Sequence, residues 1–213
     1  MKSSFFAALA ATLLLALSGA ARADSYTDFW NAIAQDNARA VSALLAKGMD
    51  PNTVSPTGEP ALIAALREKH PAVAQVLLDA PGLKPELTNP ANEDALMIAT
   101  IQGNEAAVRS LLERGAKPQR KGWTALHYAA STGRASIAEL LIKHGAEVNA
   151  QSAAGVTPLM MAARDNHTQM VDELLAAGAK VDLCTDRGLN AAAFARSNGH
   201  ARLAERLAAG NCA

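Results

Sequence analysis

Apolar positions recur along this chain on a ladder rather than in blocks. Leu126 is followed fifteen residues later by Leu141 and Ile142, and then by Gly145. The same ladder reads Leu159, Leu174–Leu175, Gly178 downstream, and Leu96, Leu111–Leu112, Gly115 upstream. It continues as Leu62, Leu77–Leu78, Pro81–Gly82 and as Phe29, Leu44–Leu45, Gly48, and ends in a degenerate copy, Ala192, Leu207–Ala208, Asn211. The anchors step by 33, 34, 30, 33 and 33 residues. Inside one unit, Leu126, Ala129 and Ala130 fall at i, i+3, i+4 and make one apolar stripe of a short helix. Ile137, Leu141 and Ile142 line a second helix, with Gly133 and Gly145 placed to end the two. Thr124 and Thr157 stand where side-chain oxygens cap a helix, and Pro158 sits at a first helical position, where its missing N–H costs nothing. Helices this short are not stable alone in water, so each unit must bury its stripe against the next.

A period near 33 with Thr124-Ala125-Leu126-His127-Tyr128-Ala129 and Thr157-Pro158-Leu159-Met160-Met161-Ala162 resembles the ankyrin repeat. Leu141 to Ala150, reading LIKHGAEVNA, is similar to the usual repeat ending. The resemblance covers about residues 25–213 and is strongest in the fourth and fifth units. It implies an all-α solenoid of about six helix-turn-helix repeats with short hairpin-like loops, at about 25–54, 55–88, 89–120, 121–153, 154–185 and 186–213. The first repeat, with Phe29 and Trp30, and the last, with its more polar second helix, are expected to be caps. The junction Asp79–Pro90 holds three prolines, and the loop closing repeat three is about three residues shorter than the others.

The first 23 residues stand outside the array. Lys2, an apolar run from Phe5 to Leu17, and Ala21-Arg22-Ala23 form the pattern of a cleavable signal peptide, with residues 24–213 as the exported repeat domain. The run is shorter than the ~20 residues a membrane span needs. A periplasmic location is expected, with secretion as the alternative. Lys2 and Arg22 leave with the leader, so 20 basic residues become 18 against 20 acidic ones, a charge of −2. That balance speaks against nucleic acid as the partner. Cys184 and Cys212 are the only cysteines; in an exported chain an even count suggests a disulfide, which would close a loop worth about 3 kcal/mol and pin the last repeat.

Chemistry-bearing residues are sparse. His127 is the obvious catalytic suspect, but the resemblance implies a structural tie with Thr124. His70, His167 and His200 recur at one repeat position, with Arg134 in the fourth copy. Neighbouring copies stand about 10 Å apart, too far to share a metal ion with bonds near ~2 Å. No phosphate loop, nucleophile elbow or carboxylate pair stands out, so neither catalytic residues nor a cofactor nor a metal is expected. The resemblance implies a monomer that binds another protein on the concave face built from loop tips and first helices. Positions there include Arg120, Lys121, Trp123, Arg164, Asp165 and Arg187. Trp and Arg are enriched at energetic hot spots, which makes Trp123 with Arg120, Lys121 and Arg164 the expected contact centre. The expected role is scaffold or stabiliser of an exported enzyme; an immunity protein that blocks a toxic enzyme is the alternative, and an enzyme in its own right the third.

Overall fold

A computed structural model describes residues 24–208, and every regular element among them is an α-helix. The expected leader, residues 1–23, and Cys212 lie outside the described residues. The chain divides into two compact units, one ending at Lys84 and the other beginning at Pro85.

The first unit holds α1 (24–34), α2 (Ala38–Ala46), α3 (Ala61–Arg67) and α4 (Pro71–Asp79). Phe29 is fully buried, and Trp30 packs edge-on against both Phe29 and Tyr26. The Tyr26 hydroxyl donates to the Val54 carbonyl at 2.9 Å. This aromatic cluster supplies the apolar surface that the small side chains of repeat one lack. Asn52 bridges the closing turns of its repeats: its amide donates to the Gly82 carbonyl at 2.8 Å, and its Oδ1 accepts from the Lys84 N–H at 2.8 Å.

The second unit holds α5 (Ala95–Gln102), α6 (Glu105–Glu113), α7 (Ala125–Thr132), α8 (Ala135–Lys143), α9 (Pro158–Arg164), α10 (Thr168–Ala176), α11 (Ala191–Ser197) and α12 (Ala201–Arg206). First helices pack in sequence, α5 on α7, α7 on α9 and α9 on α11, while α6, α8 and α10 form the matching second layer. The core between the layers is Leu96, Leu111, Leu126, Ile137, Leu141, Leu159 and Leu174, all essentially inaccessible. Alanines 129, 130, 162, 163 and 195 are buried with them, which lets successive helices approach closely. Asp94, Asn104, Thr157 and Asn190 cap their helices through side-chain oxygens, at 2.8, 3.1, 3.3 and 2.9 Å. Asn149 repeats the Asn52 bridge onto Gly178 and Lys180. In the short loop of repeat three Gln119, one methylene longer, reaches the Glu147 N–H instead, at 3.2 Å.

A left-handed residue follows each first helix: Asp36, Lys69, Gly103, Gly133, Asn166 and Gly199. They step by 33, 34, 30, 33 and 33 residues, the register of the apolar anchors. At Gly133 there are two reasons for glycine. Its φ is +66°, and a Cβ there would stand 2.8 Å from Nδ1 of His167. The Arg134 guanidinium lies in the same way over Gly103. His167 and His200 place Nε2 at 3.0 Å from the carbonyls of Ser131 and Arg164, the ends of the preceding first helices. At His167 and His200 this position therefore ties one repeat to the one before it, and the His167 ring covers the Gly133 turn.

Candidate protein-binding face

The loop before α7 carries Arg120, Lys121 and Trp123. It is held from beneath by His127. That imidazole is fully buried, and its Nδ1 accepts from the Thr124 N–H at 3.2 Å and faces the Thr124 hydroxyl at 2.9 Å. Nε2 stands 2.9 Å from the Val156 carbonyl in the next loop. With Nδ1 accepting, Nε2 carries the proton and donates. Burial pushes the His127 pKa below the ordinary imidazole value, and the bonds to backbone offset only part of that. The ring is neutral and fully committed, leaving no nitrogen free for general base work or a metal. Thr157, its counterpart one repeat on, caps α9 directly and meets the Met160 sulfur at 3.4 Å from its N–H.

Trp123 lies on top of this tie. It is 39% exposed, its ring 5.1 Å from His127 in an edge-on contact and 5.9 Å from Tyr128 with a 34° tilt. Tyr128 is half-buried; burial and the neighbouring Glu93 carboxylate push its phenol pKa up. Trp123 thus contacts both His127 and Tyr128 and stays partly open to solvent.

The arginines expected beside it are placed differently. Arg120 is turned inward, donating to Asp94 Oδ2 at 2.8 Å and to Asn92 Oδ1 at 2.7 Å, with its side chain 21% exposed. Asp94 also accepts from the Met97 N–H, yet burial outweighs both partners and raises its pKa. Arg164 pairs with its own neighbour Asp165 through two hydrogen bonds, 2.9 and 2.7 Å, and Asp165 holds its pKa above the ordinary value. Lys121 and Arg187 are exposed. Ser131 and Thr132 turn their hydroxyls back to the Tyr128 carbonyl at 3.0 and 2.7 Å. Trp123, Arg120 and Lys121 therefore share one loop, while Arg164 with Asp165 stands at the end of α9 and Arg187 before α11. Sequence reasoning missed the Asp94–Arg120 pair and the support from Tyr128. The one available signal was the 30-residue step of repeat three, which brings the loops carrying Asn92–Asp94 and Arg120 into register. Cys184 lies in the loop before the last repeat, half-buried.

A family model described as ankyrin repeats in three copies matches residues 81–152, and one described as ankyrin repeats in many copies matches residues 141–195. The chain belongs to the ankyrin-repeat family. Ankyrin repeat and SOCS box protein 16 of Mus musculus is 49% identical over 59 residues, 26% of this chain and 13% of that protein. The 2-5A-dependent ribonuclease of Mus musculus is 39% identical over 62 residues, 27% of this chain and 8% of that protein. The chain thus spans only a small part of these curated relatives, and the likeness is one of repeats. Among solved structures, an ankyrin repeat domain from Acinetobacter baumannii AYE shares 29% identity and a TM-score of 0.73, over 83% of this chain and 93% of that one. The ankyrin repeat domain of Bcl-3, described as a unique member of the IkappaB protein family, shares 28% identity and a TM-score of 0.70, over 82% and 79%. Ankyrin repeats are protein–protein interaction modules and typically non-enzymatic. No helix among the described residues is long and apolar enough to cross a membrane.

Proposed function

We propose that this chain is a non-enzymatic binding module exported to the periplasm by residues 1–23, where it holds a protein partner on the face formed by its first helices and the loops before them. The role is that of a scaffold or stabiliser of an exported enzyme. One observation carries the binding reading: Trp123 is 39% exposed although a buried, fully hydrogen-bonded His127 lies directly beneath it. An indole seated on a rigid support presents a large apolar area at little entropic cost, which is what an interface anchor needs. Under the same reading Cys184 and Cys212 form a disulfide that pins the last repeat.

Capture from a periplasmic extract tests this, comparing the protein with Trp123→Ala after both show the same thermal melt. The expected result is one protein retained by the unaltered chain and lost from the variant. Equal capture by both would move the binding centre off this loop, and no capture by either would remove the binding role.

A further inference from the structure

Three large apolar side chains are exposed among the described residues, Val54, Trp123 and Leu189. Trp123 and Leu189 hold the same place in the fourth and sixth repeats, each directly before the cap of a first helix, Thr124 and Asn190. Val156 holds that place in the fifth repeat, before Thr157, and is half-buried. In the third repeat the place is taken by Glu93, so the apolar row begins at Trp123. A second row backs it from the first helices, with Tyr128 and Phe194 half-buried on either side of buried Met161.

Two cations frame the row. Lys121 and Arg187 each stand two residues before a row member, at its two ends, both exposed, with no ion pair among the described residues. Ala154 occupies the place between them. Of the other charges on this face, Arg120 is matched by Asp94 and Arg164 by Asp165. Asp186 lies beside Arg187, with its N–H on the Ala154 carbonyl, and Glu93 lies at the far edge against Tyr128.

We propose that this row seats one amphipathic helix of the partner protein, laid along repeats four to six, with carboxylates at its two ends meeting Lys121 and Arg187. The inference rests on the protein-binding reading above and names the chemistry of the segment bound. The row members precede α7, α9 and α11, which pack on one another in that order, and neighbouring packed helices stand about 10 Å apart. A helix rises ~1.5 Å per residue, so about seven residues span that distance and return a side chain to the same face. A β-strand covers it in about three residues, which turn successive side chains to opposite faces. One stripe of an amphipathic helix therefore meets Trp123, Val156 and Leu189 together.

The test is selection of a displayed library of random peptides of about 18 residues on the purified full chain. Enriched sequences are expected to share apolar residues two turns apart with Asp or Glu at both ends. A synthetic peptide of the most enriched sequence is expected to bind at least about tenfold more weakly to Trp123→Ala and to Leu189→Ala, each with an unchanged melt. The pair Lys121→Glu and Arg187→Glu is expected to turn the selected ends from acidic to basic. Enrichment of proline-rich peptides with every third residue apolar, binding indifferent to Leu189→Ala, or no enrichment at all overturns the inference. A periplasmic protein captured through Trp123 but indifferent to Leu189→Ala leaves the binding reading standing and removes only the helix.

Discussion

Repeats four and five carry nearly the same signature and use it differently. In repeat four the third helical position is His127, which holds Thr124 on one side and the Val156 carbonyl on the other. In repeat five it is Met160, equally buried, which offers only a sulfur 3.4 Å from the Thr157 N–H. One repeat is tied to its neighbour by directional bonds, the other is filled by an adaptable apolar chain. The turns differ as well. Repeat four ends its first helix in Gly133 under the His167 ring, whereas repeat five uses Asn166 at φ +57°. The contrast shows that the left-handed turn and the apolar anchor are the fixed features of a repeat, while the polar tie is one of several ways to hold the loop above it.

The anchors should prove equivalent and costly. Leu126→Ala and Leu159→Ala each remove a side chain with at most 1% exposure, and each is expected to cost about 3 kcal/mol in urea melts. A cost at Leu159 below about 1 kcal/mol would show that the methionines of repeat five refill the space.

His127→Met turns repeat four into repeat five at this position. The Val156 carbonyl loses its partner and the Thr124 N–H exchanges a ring nitrogen for a sulfur, for an expected loss of about 2 kcal/mol near neutral pH. The substitution also changes the pH dependence. His127 titrates lower when folded than when unfolded, so the unfolded chain binds more protons as the pH falls. Stability from the neutral ring is complete above about pH 6.5 and is lost as the pH falls through and below that value. Denaturant melts at pH 7.5 and 5 should therefore show a drop in the unaltered chain that is smaller in His127→Met; equal drops would place the acid sensitivity elsewhere.

Gly133→Ala meets both a positive φ and the His167 ring at 2.8 Å, and about 1–2 kcal/mol should be lost. The smallest effect is the reverse change in repeat five. Asn166→Gly relieves the left-handed strain at an exposed position but loosens the unfolded chain, and the melt should shift by no more than about 0.5 kcal/mol either way. A large loss there would mean that the Asn166 side chain holds the turn.

Much of this was legible in residue order because the repeat is a local object. The pairing of Leu126 with Leu141, the turn residue Gly133 and the Thr124–His127 tie lie within one unit, where spacing alone brings the groups together. The arginines were not legible in the same way. Arg120 and Arg164 have the composition of contact residues, yet one is spent on Asp94, 26 residues earlier, and the other on adjacent Asp165. Nothing in the types or spacing distinguishes a guanidinium that reaches outward from one that folds back onto a carboxylate.

The number of repeats, their register and the helices within each follow from residue order, because a 33-residue period and its apolar stripes act within one repeat and its neighbour. Which side chains of the first-helix face stay available follows from how the repeats stack. Burial of His127 beneath Trp123, and the ion pairs that absorb Arg120 and Arg164, depend on distances between loops of different repeats. A charge loses its reach once a partner stands within hydrogen-bonding distance, and that distance is set by how the repeats stack.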